Sequence, residues 1–236
     1  MPDKDAVREA VWDELDESGT ARFPFPPHGR IPNFAGADAA ADRLTDADAW
    51  QDADVVKANP DAPQLPVRRA ALRAGKTLYM AVPRLRDEEC FLRLDPDAVD
   101  DVDGATTVSG SAKAGEPVTP DEMSAVDLIV SGSVAVTERG KRVGKGEGYS
   151  DLEFAVLREF GLVDDRTTTV TTVHELQVVD GPVPTSAHDV PVEQVFTPGR
   201  AFETDAPAGK PTGVDWDALD AGRPAEIPVL QRLRPE

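Results

Sequence analysis

Residues 140–153 combine glycines and cations in a pattern that could hold phosphate. Three glycines alternate with charged residues, and a glycine backbone can bend sharply and approach a ligand because it carries no Cβ. Lys141, Arg142 and Lys145 add three positive charges to the same stretch. The residues that follow have a helical pattern, so free N–H groups and the positive end of a helix dipole would face the loop. This pattern predicts an anion-binding loop.

The loop matches neither of two familiar phosphate-binding motifs. It has no Gly-Lys-Ser/Thr ending of the Walker A type, and residues 144–148 lack the third glycine at the dinucleotide-binding spacing. A glycine loop of this kind can also be a plain turn. The neighbouring cations and the following helix favour anion binding.

Two histidines further along the chain stand beside acidic residues. His188 and Asp189 fall in a proline-flanked loop before a strand, where polar side chains often face a site, although such a pair also forms Asx turns. His174 follows a β-branched run and is as readily an edge histidine as a catalytic one. The sequence has no Gly-x-Ser-x-Gly elbow and no His-Glu-x-x-His motif, so it does not indicate these hydrolase classes.

The elements that would position these residues alternate between helices and strands. Apolar spacing predicts a helix over 3–18, where Lys4 and Arg8 lie four residues apart and so share one face. Further helices are predicted over 36–50, 65–74 and 149–160, strands over 54–57, 77–82, 126–130 continuing into 133–136, 168–173, 176–179 and 194–197, and a surface loop over 95–117. The alternation predicts an α/β fold with a mostly parallel sheet, in which ligands bind beyond the carboxyl ends of the strands.

Two proline-rich segments flank this pattern. Residues 20–35 are expected to form a strap whose three phenylalanines and Ile31 pack on the body of the protein. Residues 198–236 predict a wrapping tail with one short helix around 216–219. We therefore expect one α/β domain over residues 1–197, followed by the tail.

The 236-residue chain is strongly acidic, with 25 Lys and Arg against 44 Asp and Glu and a net charge of −19. A diffuse coat of Asp with few lysines suggests a halophilic protein kept soluble in high salt, although an ordinary acidic enzyme could share this composition. The negative field disfavours binding to nucleic acid or anionic membranes. No apolar stretch of 18 residues occurs, so we expect a soluble cytoplasmic monomer or homodimer. Cys90 is the only cysteine, which excludes an intrachain disulfide.

Three motifs occur together in an order that resembles the 5-formyltetrahydrofolate cyclo-ligases, also called methenyltetrahydrofolate synthetases. They are Lys4-x-x-x-Arg8, the stretch 140–151, and the segment from Gln177 to Glu193. The resemblance covers roughly residues 3–18 and 52–197. It is closest to the divergent methenyltetrahydrofolate synthetase domain-containing branch, which shares the proline-rich strap and the segments 131–136 and 148–153.

The resemblance implies a three-layer α/β/α fold like that of sugar-phosphate isomerases and CoA transferases. It also implies ATP-driven cyclisation of 5-formyltetrahydrofolate to 5,10-methenyltetrahydrofolate, with release of ADP and phosphate. In the family's mechanism ATP phosphorylates the formyl oxygen, N10 attacks the activated carbon, and phosphate leaves. Such chemistry needs cations around the γ-phosphate and a geometry that holds the formyl oxygen in line with it.

The resemblance further implies a role for each matching residue. Arg142 and Lys145 would be catalytic, Asp151 and Asp189 would hold Mg²⁺, and Asp61, Glu147 and Tyr149 would contact the reduced folate. The residues implied to bind ATP are Lys4, Arg8, Arg142, Gly144, Lys145, Gly146, Glu147, Gly148, Tyr149 and Ser150.

Two residues of the loop depart from the family's usual pattern. Ser150 stands where the family usually has the second tyrosine of Gly-Tyr-Tyr-Asp, and Glu147 places a carboxylate close to the implied triphosphate. Both changes are consistent with an altered substrate or lost catalysis. The alternative to a cyclo-ligase is therefore a non-catalytic nucleotide- or folate-binding homologue that acts as a sensor or interaction module.

Overall fold

The computed structural model describes residues 3–206, 209–220 and 222–234; residues 1–2 of the expected domain and 207–208, 221 and 235–236 of the expected tail lie outside the described residues. The described helices are α1 (Lys4–Glu17), α2 (Ala37–Thr45), α3 (Asp48–Gln51), α4 (Leu65–Arg73), α5 (Val102–Ala105), α6 (Val108–Ala114), α7 (Tyr149–Glu159), α8 (Arg223–Glu226) and α9 (Pro228–Leu233). The described strands are β1 (Ala21–Arg22), β2 (Asn33–Phe34), β3 (Val55–Ala58), β4 (Thr77–Ala81), β5 (Phe91–Leu94), β6 (Glu116–Val118), β7 (Leu128–Val130), β8 (Ala135–Val136), β9 (Arg142–Val143), β10 (Thr168–Thr172), β11 (Gln194–Phe196) and β12 (Ala201–Glu203).

Eight strands form one central sheet in the order β12-β11-β10-β7-β3-β4-β5-β6. The five strands from β11 to β4 pair in parallel, whereas the pairs β12–β11, β4–β5 and β5–β6 are antiparallel. A parallel sheet is covered on both faces, and the central strand β7 is accordingly a continuous apolar run that is buried throughout. The prediction of an α/β fold with a mostly parallel sheet is confirmed.

Successive side chains along the strands point to opposite faces of the sheet and pack in two separate hydrophobic cores. Leu78 and Met80 pack in the core with α2 and α4, while Tyr79 and Ala81 pack in the core with α7 and α9. Helices therefore cover both faces of the sheet, and the predicted three-layer arrangement is confirmed. Lys57 pairs in register with Tyr79, so its side chain points to the α7 face.

A small hairpin of β8 and β9 lies outside the central sheet and supports the first helix. Val11, Trp12 and Leu15 of α1 pack in one cluster with Ala135 and Val143 of the hairpin. The predicted single strand through 126–136 is therefore wrong in its second half. An apolar β-branched run is buried in either setting, so its pattern alone could not separate the two strands.

Other local predictions also need correction. The expected surface loop over 95–117 contains α5, α6 and β6, because Asp101 and Thr107 each cap a short helix by accepting a backbone N–H hydrogen bond. The expected helix over 36–50 is split into α2 and α3. The expected strand over 176–179 is a 3₁₀ turn followed by one bridge from Val178 to Val136, because His174 and Gln177 form a capping box there.

The two proline-rich segments differ from expectation in detail. Ile31 and Phe34 are buried, but Phe23 and Phe25 are 78% and 58% exposed, so the prediction that all three phenylalanines pack inward is wrong. Both exposed rings lie in the connection between the short strands β1 and β2, which projects beyond their pairing. Residues 216–219 form a turn rather than the expected helix.

Cys90 is fully buried, and this burial raises the pKa of its thiol to about 12, which leaves it unreactive at neutral pH.

No helix in the described ranges has both the length and the apolar character required to cross a membrane.

Candidate functional site

A cleft of about 490 Å³ opens beyond the carboxyl ends of the adjacent parallel strands β7, β3 and β4. Asn59 and Asp61 enter its wall just after β3, Arg84 just after β4, and Gly132 just after β7. Loops at this end of a parallel sheet converge from several strands, which is where α/β proteins bind ligands. The cleft is therefore the candidate site.

The structure brings every site residue proposed from the sequence into this one cleft. The thirteen proposed residues, all of which line it, are Lys4, Arg8, Asp61, Arg142, Gly144, Lys145, Gly146, Glu147, Gly148, Tyr149, Ser150, Asp151 and Asp189. Residues from α1, the loop after β3, the β9–α7 loop and the loop before β11 thus meet although they are distant in sequence.

The glycine loop connects β9 to the start of α7. Gly146 and Gly148 have φ angles of 111° and 69°, a backbone region that residues with a Cβ rarely adopt. Gly148 caps α7, and no side chain caps the first turn of this helix. The first N–H groups of an α-helix have no partner within the helix, so this end offers donors and a partial positive charge to an anion.

Cations surround this loop. Arg8 on α1 donates from Nε to the carbonyl oxygen of Gly144 at 2.7 Å. Lys145 Nζ lies 2.6 Å from Glu147 Oε2, and Arg84 Nη2 lies 3.5 Å from Glu147 Oε1. The hydrogen bond from Lys145 lowers the pKa of the Glu147 carboxyl, so Glu147 is an anion that occupies Lys145 in this structure. A phosphate that binds Lys145 would displace Glu147 from it.

Asp151 and Arg142 form an ion pair at the base of the loop. The side chain of Arg142 is only 4% exposed, and the backbone N–H of Val190 donates to Asp151 Oδ1 at 2.9 Å. The ion pair and the hydrogen bond from Val190 therefore connect β9, the start of α7 and the loop that carries Asp189.

Asp189 pairs with a cation from the first helix. Lys4 Nζ lies 2.8 and 2.7 Å from its two carboxylate oxygens, and the backbone N–H of Ser186 donates to Oδ2 at 2.7 Å. The side chains of Lys4 and Asp189 are 26% and 13% exposed, so this pair borders the open cleft.

Asp61 faces these cations from the wall after β3. Burial raises the pKa of its carboxyl, and the positive charge of Lys145 opposes this increase. Within the described ranges no hydrogen bond reaches its carboxylate oxygens. A desolvated carboxyl without a partner in a cleft is typical of a ligand-binding group.

A buried polar network supports the cleft from below, and sequence reasoning did not identify it. Lys57 of β3 and Glu153 of α7 form an ion pair with side chains that are 1% and 7% exposed. Asn59 donates to Glu153 at 3.3 Å and accepts from the backbone N–H of Gly132 at 3.1 Å. Ser150 Oγ lies 3.4 Å from Asn59 Oδ1, so Ser150 also joins this network.

Some residues singled out in the sequence lie elsewhere. Lys141, the third cation of the run, does not line the cleft; its Nζ lies 3.5 Å from the carbonyl oxygen of Val183. His174 caps a 3₁₀ turn through Nδ1, and burial lowers the pKa of its ring. His188 does line the cleft, with Nδ1 3.7 Å from Asp215 Oδ2.

Arg84 is a cleft residue that no sequence motif singles out. It has a φ angle of 62°, which is rare for a residue with a side chain and tends to occur at functional sites. Its position directly beyond β4 is the one available signal, because the rule for parallel sheets points to that loop.

Comparisons with known proteins agree with one another. Residues 3–198 match the model of the 5-formyltetrahydrofolate cyclo-ligase family. The methenyltetrahydrofolate synthase domain-containing proteins of mouse and human are 42% and 38% identical over 235 residues, which cover 98% of this chain. The matches cover 63% and 61% of those longer proteins, so this chain spans about three-fifths of the length of these relatives.

More distant proteins match in part. The 5-formyltetrahydrofolate cyclo-ligase of Escherichia coli K12 is 28% identical over 139 residues, which cover 56% of this chain and 68% of that protein. The solution structure of the 5,10-methenyltetrahydrofolate synthetase of Aquifex aeolicus superimposes with a TM-score of 0.52 at 18% identity. That match covers 85% of this chain and 92% of the other, and it shows a shared fold.

Proposed function

This chain belongs to the 5-formyltetrahydrofolate cyclo-ligase family, and from that premise we propose that it cyclises 5-formyltetrahydrofolate to 5,10-methenyltetrahydrofolate with ATP. The observation that carries the proposal is that Lys4, Arg8, Arg142 and Lys145 line one cleft together with the glycine loop, in an otherwise acidic chain. A desolvated carboxyl, Asp61, faces them across the cleft. This arrangement suits a triphosphate on one side and a neutral or cationic ring on the other.

The proposed reaction needs charge and alignment more than covalent chemistry. The γ-phosphoryl group transfers to the formyl oxygen and ADP leaves. N10 then attacks the activated carbon, the bond between that carbon and the phosphorylated oxygen breaks to release phosphate, and the N10 proton passes to solvent. Lys145 would exchange Glu147 for the transferred phosphoryl group, since both partners are more than a third exposed and free to separate. Arg142, buried behind the loop, would add charge without moving.

Tyr149 and Asp61 would hold the reduced folate. Tyr149 begins α7 beside the glycine loop and lines the cleft, as Asp61 does from the wall after β3. Asp61 could accept hydrogen bonds from ring N–H groups of a pterin, which would satisfy its carboxylate when substrate is present.

Magnesium would enter with the nucleotide. Asp151 accepts a hydrogen bond from the backbone N–H of Val190, the residue after Asp189, and both carboxylates line the cleft. Carboxylates fit Mg²⁺ because this ion takes one or two of them together with phosphates. Asp189 is the better candidate, because its partner Lys4 can turn to phosphate whereas Arg142 is fixed by burial. Held there, Mg²⁺ would neutralise part of the negative charge of the phosphates.

We expect Asp189→Asn to raise the Mg²⁺ concentration required for half-maximal activity by about 10-fold. Titrating Mg²⁺ against turnover, and against ATP binding by calorimetry, would measure the shift. Asp165→Asn is the matched control, because that carboxylate is 67% exposed and lies on the surface. An unchanged Mg²⁺ requirement for Asp189→Asn would show that the metal is held elsewhere.

We expect Asp61→Asn to raise the free energy of unfolding at pH 7 by about 1–2 kcal/mol, because it removes a desolvated carboxylate that has no partner. The folded state binds the Asp61 proton more tightly than the unfolded chain, so ionisation costs stability only as pH rises above the ordinary carboxyl pKa of about 3.9. The difference from wild type should therefore shrink as pH falls toward that value in denaturant titrations. The same variant should bind reduced folate more weakly, and unchanged folate affinity would contradict the role given to Asp61.

The direct test is turnover of purified protein with 5-formyltetrahydrofolate, ATP and Mg²⁺, followed by the near-ultraviolet absorbance of the methenyl product. The assay is run at low salt and at molar salt, since the acidic composition predicts a salt requirement. Folded protein that fails to form product in either condition would contradict the proposed activity. Calorimetric binding of ATP or folate without turnover would instead support a sensor or interaction module, a role for which the occupation of Lys145 by Glu147 is the structural argument.

A further inference from the structure

Several described residues beyond residue 198, where the match to the family model ends, pack beside α7. The backbone N–H of Val214 donates to a carboxylate oxygen of Glu159 at 2.9 Å. Further on, Val229 and Leu230 are fully buried in the core beneath α7. Between these two anchors, Asp215, Leu219 and Arg223 line a small cavity together with Gly148 and Asp151 at the start of that helix.

Arg223 lies between the anchors and contacts the glycine loop. Its guanidinium carbon lies 4.7 Å from the centre of the Tyr149 ring, a cation–π distance. The same guanidinium donates a hydrogen bond to the carbonyl oxygen of Glu147. Gly148, the residue between these two contacts, has a left-handed backbone and caps α7. Arg223 therefore spans the point where the loop becomes a helix.

The position of Arg223 explains how a glycine-rich loop can keep one conformation. Such a loop loses much conformational entropy when it is ordered, so it needs external contacts. Arg8 holds the carbonyl oxygen of Gly144 at the beginning of the loop, and Arg223 holds that of Glu147 at its end. In a trans peptide the N–H points opposite to the carbonyl, so this second contact turns the Gly148 N–H away from Arg223.

Arg223 acts from behind the site. Glu147, Gly148 and Tyr149 all line the cleft, whereas Arg223 does not; it lines a neighbouring cavity of about 70 Å³ between α7 and the C-terminal chain. The guanidinium would thus remain in place when ligands occupy the cleft. Its charge would also offset part of the negative field of the chain at this point.

We propose that Arg223 is a positioning residue for the reaction, which holds the end of the glycine loop and the Tyr149 ring in the geometry that receives ATP and folate. The inference rests on the proposed function. It adds to the site a residue from outside the part of the chain that matches the family model.

The test compares Arg223→Ala with wild type and with Arg232→Ala. Arg232 is a matched control, because it also stacks on an aromatic ring, Phe160 at 5.5 Å, and pairs with Asp121, but does not touch the cleft. Arg223→Ala should lower kcat by about 10–100-fold and raise the KM for ATP, since small displacements of positioned groups have effects of this size. Its melting temperature should change no more than that of Arg232→Ala, whose activity should stay within about twofold of wild type.

Two further measurements separate positioning from a structural role. Free guanidinium at millimolar concentration should restore part of the activity of Arg223→Ala, and Arg223→Lys should be intermediate, because lysine keeps the charge but not the planar stack. Activity of Arg223→Ala equal to wild type would overturn the inference, as would a loss of activity that follows a collapse in melting temperature and is not rescued.

If wild type binds ATP without turnover, the proposed activity fails but Arg223→Ala must still weaken ATP binding. If wild type binds neither ATP nor folate, the proposed function and the inference fail together.

Discussion

Lys145→Ala should reduce turnover by about 10²–10³-fold, the loss seen when one preorganised charge or donor is removed from developing negative charge. The side chain of Lys145 is 39% exposed and its ion-pair partner is Glu147 in the same loop, so it contributes little to folding. The free energy of unfolding should stay within about 0.5 kcal/mol of wild type. Steady-state kinetics and denaturant titration on the same preparation would measure both quantities.

Two further variants test the interpretation of this result. Lys113→Ala removes an exposed lysine from α6 and should change neither turnover nor stability, which controls for the loss of one positive charge. Glu147→Gln releases Lys145 from its ion pair and should lower the KM for ATP by a few-fold, the magnitude of an exposed pair. A large loss of stability in Lys145→Ala would mean that the loop needs this lysine to fold, and its assignment to phosphate would then have no support.

Glu153→Ala should destabilise the protein by about 3–5 kcal/mol, because it leaves the ammonium of Lys57 buried without a counter-charge. Both side chains of this pair are less than a tenth exposed, and Asn59 would lose one of its partners as well. Urea or guanidinium unfolding measures the change as a shift of the midpoint at constant slope.

The double variant Lys57→Met with Glu153→Leu tests the cause. It removes both charges and replaces them with apolar groups, so it should recover most of the lost stability. Glu116→Ala is the surface control: its pair with Arg93 is 36% and 61% exposed, and its removal should cost less than about 1 kcal/mol. If Glu153→Ala lowers the free energy of unfolding by as little as Glu116→Ala does, then the buried charge of Lys57 does not need Glu153 as its counter-charge.

Local patterns in the sequence were sufficient to predict the helices and strands that hold the site. The amphipathic spacing of α1, the helical pattern over 65–74 and the apolar residues of β3, β4 and β7 depend on neighbouring residues, and these elements appear as predicted. The short helices α5 and α6 were not predicted, because the composition of this segment is typical of a loop. The capping residues Asp101 and Thr107 were not recognised within it. The hairpin of β8 and β9 was missed because burial alone does not say which sheet a strand joins.

The residues of the cleft could be chosen from motifs, but their partners could not. Lys57 and Glu153 are separated by 96 positions, and no local pattern links them; their contact follows from the side-chain alternation of β3 beneath α7. The contact of Arg223 with Tyr149 depends in the same way on how the C-terminal chain packs. Roles in binding ATP, folate and Mg²⁺ remain predictions for the experiments above.

The packing of α9 has a consequence for the way the protein opens. Val229 and Leu230 share one core with Phe154 and Leu157 of α7, the helix that begins at the glycine loop. Elements that share a core tend to open together, so amide protons of α9 and of the middle of α7 should exchange with solvent at a common rate. Hydrogen exchange in the last helix would then report the local unfolding of the layer behind the cleft, even in the absence of any substrate.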